Sequence, residues 1–250
     1  MPDRLPPPIA LGDVARRGPQ RGQAVLTDAS AHVDAVLTAV AALDPVALGS
    51  AIGDAFAAGS VEHVIQLVLM PLLREIGDQW ESGRLSVAHE HLASGILARW
   101  LSALAQEVPP GSRHTAVLAC PPGERHDLVL SCFALLLQRE GWRVLLLGAD
   151  TPTAAIAVTC RQSSADLLVL AGSRPSVFTS RSASMRRLCA QYRTALGGGG
   201  ARPEVARELG AALLPPDPVQ AVDVAARLVR EPGPGPASMD VGGDSFAGAS

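Results

Sequence analysis

The sequence has no lysine. All 21 of its basic residues are arginine, which excludes chemistry on a lysine amine, including the internal aldimine of a pyridoxal phosphate enzyme. A strong charge imbalance is missing as well. The formal net charge is -3 and the arginines are spread along the chain, so there is no electrostatic footprint for nucleic acid. Cysteine is scarce: Cys120, Cys132, Cys160 and Cys189 show neither CxxC nor any other metal-ligand spacing. They read as free thiols, small buried core residues in a reducing cytoplasm. Nothing resembling a leader precedes them, and no run of about 18 or more apolar residues offers a membrane span.

What is present is 250 residues with 48% hydrophobic content, enough to fill the core of one large domain or two modest ones. Residues 1–27 are rich in Pro, Gly and Arg without periodicity and read as a disordered arm. From 28 to 107 the pattern is helical, broken at 43–45, 57–60 and 82–86, which predicts a four-helix bundle. Ser60 and Ser86 stand at N-cap positions, with Gly59 and Gly83 in the preceding turns. "VPPGSR" (108–113) is a linker. Over 113–231, apolar runs at 114–120, 142–149, 165–172, 194–200 and 211–215 alternate with helical stretches at 124–139, 152–163, 180–192, 203–208 and 217–230. That alternation predicts a parallel sheet covered on both faces, a doubly wound α/β domain. Residues 232–250 hold too few apolar side chains to pack and read as a disordered tail.

In an open α/β sheet a ligand sits at the carboxyl ends of the strands. The loop after the first strand is "CPPGERHDLVL" (120–130), where Glu124 stands two residues before His126, flanked by Arg125 and Asp127. A carboxylate so placed accepts the imidazole N–H, fixes the tautomer and makes the other ring nitrogen a better metal ligand. The plainer alternative is a capping or surface histidine. "AGSRPS" (171–176) puts Ser173 and Ser176 on the adjoining loop, and "LGGGG" (196–200) lets the backbone at Gly198 and Gly199 pass close to something bulky.

Together these residues resemble the cobalamin-binding domain, whose pattern is an acidic residue, any residue, His, two residues and Gly, then a Ser-containing loop, then Gly-Gly. The resemblance implies a flavodoxin-like domain in which His126 is the lower axial ligand of cobalt and Glu124 its partner. Ser173 then bonds the nucleotide tail, and Gly198 and Gly199 leave it room. One departure is Val129, where the family usually has Gly; its side chain would crowd the tail or the corrin edge. A four-helix bundle ahead of such a domain resembles the methionine synthase family and its corrinoid-protein relatives, in which the bundle caps the upper face of the corrin.

The stretch "GDQWESGRLSVAHEHLASG" (77–95) spans the junction of the last two bundle helices. Trp80, nine residues, then Glu90-His91 resembles the adenosylcobalamin-dependent photoreceptors of the CarH and LitR type, which implies Trp80 packed on the adenosyl group and Glu90 bonded to it. Helical spacing puts Glu90 on a face with Val87, Ser94, Leu97 and Leu101. The alternative is Glu90 paired with Arg84 or Arg99 and Trp80 as ordinary core. Glu81 follows the Trp where the DNA-binding photoreceptors carry a cobalt-capturing His; His63, His89 and His91 are the substitutes. Residues 1–27 are too short and Pro-rich for a winged helix, so the expectation is a stand-alone sensor without direct nucleic-acid or membrane contact.

The resemblance thus implies a cytoplasmic light sensor rather than an enzyme. Light would expel the adenosyl group, and the bundle would then move and alter self-association, most simply a dimer, or the surface shown to an output protein. Stand-alone relatives, the photocobilins, imply biliverdin as a candidate second chromophore, held without a covalent bond. Arg174, Arg181, Arg186 and Arg187 are the candidate partners of its propionates, against the plainer reading of a solvated basic helix face. The competing class is a corrinoid carrier for methyl transfer; a third is a cobalamin-binding module that does not respond to light.

Overall fold

The computed structural model describes residues 28–105, 112 and 114–230. The expected arm, the tail and all of the linker but Ser112 lie outside the described residues.

Four helices come first: α1 (Ala29–Ala41), α2 (Pro45–Ala58), α3 (61–81) and α4 (Val87–Leu104). Their starts are set by short polar side chains that take up orphan backbone N–H groups, each worth about 1 kcal/mol. Asp28 accepts from Ala31, Asp44 from Val46 and Ala47, and Ser60 from His63. At α4 the backbone N–H of Ser86 donates to His89 Nδ1 at 3.2 Å. Helix α3 is not uniform: Val61–Val64 and Met70–Glu81 are α-helical and Ile65–Leu69 between them is π-helical. Pro71 supplies the reason. It has no N–H for the carbonyl four residues back, Leu67, and its ring would press on that carbonyl in a regular turn. The wider turn relieves the clash, and Met70 N–H bonds the Ile65 carbonyl five residues back. Inside the bundle Phe56 and Trp100 stack with centroids 5.9 Å apart. Gly53 permits it, since a Cβ there would lie 3.2 Å from the Trp100 ring.

The second part is a five-stranded parallel sheet of β1 (Thr115–Ala119), β2 (Arg143–Gly148), β3 (Leu167–Ala171), β4 (Thr194–Gly197) and β5 (Ala212–Leu213), in the order β2-β1-β3-β4-β5. Six helices join or follow them: α5 (Leu128–Arg139), α6 (Thr153–Ser163), α7 (Pro175–Thr179), α8 (Ser182–Gln191), α9 (Pro203–Leu209) and α10 (Pro218–Arg230). Leu118 and Val169 face α5 and α10 through Phe133, Leu137 and Ala225. Val117 and Leu168 face α6, α8 and α9 through Ile156, Met185 and Val205. The sheet is therefore doubly wound. All four cysteines are free and buried, and burial pushes the thiols of Cys120, Cys132 and Cys160 up to about 12. Among the described residues no helix is long and apolar enough to cross a membrane.

The bundle forms a third layer on the outer side of α5. Cys132, Leu135 and Leu136 of α5 belong to the same apolar cluster as the bundle interior, and Val219 and Val222 of α10 pack against it. Arg139 Nε donates to Glu62 Oε1 at 2.7 Å across this junction. Burial would raise the Glu62 carboxyl, but the bond and charge of Arg139 together with bonds from its own backbone and Ser60 outweigh it and hold the group below its ordinary range.

Several boundaries differ from expectation. Helix α5 begins at Leu128, not 124, because Gly123 sits at φ +92 after two prolines and 124–127 are held as loop by contacts described below. Strand β4 stops at Gly197, since Gly198 turns at φ +85. Strand β5 is two residues long, and α7 is a short helix started by Pro175 that hydropathy did not mark.

Candidate functional site

Sheet order reverses direction between β1 and β3, so the loops after these strands flank the crevice where open α/β sheets take ligands. The β1–α5 loop is shaped from its neighbours. Asp150, a non-glycine residue at φ +48 after β2, accepts from Gly123 N–H at 2.7 Å and gives its own N–H to the Glu124 carbonyl at 2.7 Å. Thr151 N–H bonds the Cys120 carbonyl, and Arg181 reaches the Pro122 carbonyl at 3.2 Å. Asp150 and Thr151 were not found by sequence reasoning, and Arg181 was singled out only as a partner for propionates, because their parts in the loop depend on chain neighbours 26 or more residues away.

This frame holds Glu124 almost entirely out of water, 2% exposed. Its Oε1 accepts from the backbone N–H of His126 at 2.9 Å and from Nδ1 of the His126 ring at 2.6 Å. Its Oε2 accepts from the backbone N–H and the hydroxyl of Ser173, each at 2.6 Å. Burial alone would raise the carboxyl, but the bonds from Ser173 and His126 overcome it and hold it at about 2. Glu124 is thus an acceptor only and Nδ1 of His126 donates to it, which leaves Nε2 as the ring nitrogen not used by the carboxylate. The His126 side chain is 65% exposed. It does not cap α5: Asp127 is the residue at that position, with a carboxylate oxygen packed over Gly148. Arg125 is exposed.

Ser173 bonds Glu124, so it holds the carboxylate that in turn holds His126. Ser176 lies on α7 and is exposed. The glycines after β4 press on the β3–α7 loop. A Cβ on Gly198 would fall 2.5 Å from the Gly172 carbonyl oxygen, and one on Gly200 would fall 2.4 Å from Arg174 backbone atoms, while Gly199 meets Ser173 only at 3.4 Å. At Gly198 the direction a side chain would take is filled by that loop, and Gly200, not singled out from sequence, is the tighter contact. Val129 packs against the bundle core, so its side chain lies at the domain junction.

On the opposite wall, Trp80 ends α3 with 45% of its surface exposed, and Val87 at the start of α4 is 53% exposed. Trp80 is not core. Glu90 is half-buried and accepts from the Ser94 hydroxyl at 2.6 Å, with Nδ1 of His91 at 2.5 Å. Burial raises the Glu90 carboxyl, but Ser94, His91 and the charge of His126 outweigh it and lower it. Arg84 pairs with Glu75 at 3.8 Å, not with Glu90. Of the arginines considered for propionates, Arg186 bonds Ser182 and Glu208, Arg187 bonds Ser184, and Arg181 is used as above.

Residues 33–105, the bundle, match the family model for a B12 binding domain. The chain is 37% identical over 169 residues to the HTH-type transcriptional repressor CarA of Myxococcus xanthus, covering 66% of this chain and 57% of that protein. It is 34% identical over 157 residues to the repressor CarH of the same organism, covering 58% and 52%. The chain therefore spans little more than half the length of these curated relatives. Among solved structures, the monomethylamine corrinoid protein of Methanosarcina barkeri covers 79% of this chain and 98% of its own, with TM-score 0.66 at 17% identity, which shows the fold. The family match and the two relatives support cobalamin binding.

Proposed function

We propose that this chain is a light sensor that takes adenosylcobalamin between the bundle and the carboxyl edge of the sheet. The observation that carries the reading is the buried Glu124 carboxylate, which holds Nδ1 of His126 at 2.6 Å and leaves Nε2 free on an exposed ring. That donor set suits cobalt from below. Bound there, adenosylcobalamin supplies a photolabile cobalt–carbon bond. The exposed Trp80 ring offers an apolar surface for an adenosyl group to cover, and Glu90 and His91 offer polar partners to its ribose. With no such group against them, the ends of α3 and α4 are free to shift, changing self-association or the surface shown to an output protein. The similarity to CarA and CarH agrees with the photoreceptor resemblance of Trp80, Glu90 and His91.

Among the other histidines, His91 is the candidate for ligation from the bundle side. Its Nδ1 lies on the Glu90 carboxylate, as in His126, and Nε2 is free. His89 is not equivalent, because its Nδ1 accepts the Ser86 N–H and the proton sits on the outward nitrogen. His63 is tied to Ser60 at the far end of α3. Biliverdin as a second chromophore is the remaining part of the proposal, resting on the photocobilin resemblance. Red absorbance that stays with the protein through gel filtration supports it, and elution without red colour removes it.

The test is the full chain loaded in the dark with adenosylcobalamin or methylcobalamin, then followed by absorbance and elution volume before and after green light. A sensor holds the adenosyl form more tightly and changes elution volume with light. His126→Ala abolishes the His-ligated spectrum. Equal retention of both forms with an unchanged elution volume is the behaviour of a corrinoid carrier for methyl transfer and sinks the light-sensor reading.

A further inference from the structure

A regular helix moves as a rod, and α3 is not regular. Its first turns are tied to the α/β domain by two polar links. Arg139, whose side chain is 6% exposed, bonds Glu62 at 2.7 Å, and Gln66 Nε2 donates to Asp217 Oδ2 at 2.5 Å. Asp217 is itself fixed, accepting the Val219 N–H at 2.9 Å with its other oxygen. Glu62 precedes the π segment Ile65–Leu69 and Gln66 lies inside it.

Beyond that segment the situation reverses. Among the described residues no hydrogen bond or ion pair joins 70–81 or α4 to the α/β domain; the bonds of Gln79, Arg84, Ser86 and Glu90 all stay within the bundle. What this half shares with the α/β domain is apolar packing, chiefly of α4 on α5, in the cluster that includes Leu128, Val129 and Cys132, and such packing is non-directional. Between the halves the regular four-residue hydrogen-bond ladder of the helix is interrupted. Pro71 cannot donate, the Leu67 carbonyl has lost its regular partner, and Leu67 is the outward side chain of the segment at 37% exposure.

We propose that the π segment Ile65–Leu69 with Pro71 is a hinge inside α3, separating a half anchored on Arg139 and Asp217 from a half that carries Trp80 and, through the 82–86 turn, Glu90. Bending beyond Gln66, over Leu67 to Pro71, moves Trp80 and Glu90 relative to the α/β domain while the Glu62 and Gln66 links hold. A hinge of this kind needs only a few residues that absorb a change in backbone angles. The inference goes beyond cobalamin binding and does not rest on it, so its test uses the chain without cofactor.

Hydrogen exchange along α3 of the full chain is the measurement. The hinge requires peptides covering 65–74 to exchange at least tenfold faster than those covering 61–64 and 76–81. Deleting Leu67 removes the extra residue of the wide turn, and Pro71→Ala restores the missing donor; each is expected to slow exchange at 65–74 by at least tenfold while the flanking turns stay as they are. Even protection from 61 to 81 in the native chain overturns the hinge, whether or not the variants fold. Variants that fold but leave exchange at 65–74 unchanged overturn it too.

Discussion

Glu124 accepts four hydrogen bonds, two from His126 and two from Ser173, where water scarcely reaches. All four partners are donors, so the ionised form is favoured and its pKa falls to about 2 from an ordinary 4.5. A depressed carboxyl contributes stability that is complete above the unfolded value and is lost as pH falls through the folded one. Urea unfolding of the full chain should therefore show a loss between about pH 5 and pH 2, on the order of 3 kcal/mol by linkage. In Glu124→Gln that acid-dependent loss should shrink, with stability at pH 7 lowered by about 1 to 3 kcal/mol, because one end of an amide sets N–H against donors. Glu90 differs, since it is half-buried and its partners are its own helix neighbours. Glu90→Gln is expected to weaken adenosylcobalamin by about 1 to 3 kcal/mol and to leave hydroxocobalamin nearly unaffected. Equal losses in titrations of both forms would count against a role at the upper ligand.

Among the elements, the loops after β3 and β4 hold each other. Gly198 sits at φ +85 and faces the Gly172 carbonyl, so a side chain there meets both backbone strain and a clash. Gly198→Ala should lower stability by more than about 2 kcal/mol. It should also displace Ser173 and thereby loosen Glu124. The measurable consequence is a smaller acid-dependent loss of stability in this variant than in the native chain. An unchanged pH profile would mean that Ser173 is held by something other than its contact with the glycine turn.

Across the whole molecule, the bundle and the α/β domain share an apolar cluster on α5 and are pinned by Arg139 on Glu62. Arg139→Met leaves a carboxylate that is 35% exposed without its partner, so the cost is smaller than for a fully buried pair, about 1 to 2 kcal/mol. Adding Glu62→Gln should recover part of it. A double-mutant cycle by urea unfolding that returns no coupling would show the link to be incidental to domain docking.

By itself the sequence determined the order and kind of the elements, apart from the short helix α7 and the π segment of α3. Breaks at Pro, Gly and Ser mark the bundle helices, and five apolar runs spaced by helical patterns leave a doubly wound parallel sheet as the way to bury them. The pairing of Glu124 with His126 was legible too, because a two-residue spacing after a strand is a local matter. The tertiary structure decided what proximity across the chain controls. It placed Ser173 on Glu124 and filled the space beside Gly198 with the neighbouring loop. It also turned Val129 into the domain junction and tied only one half of α3 to the sheet domain. None of these is periodic or local, and each depends on which loops the crossover helices bring side by side, information that hydropathy and spacing do not carry.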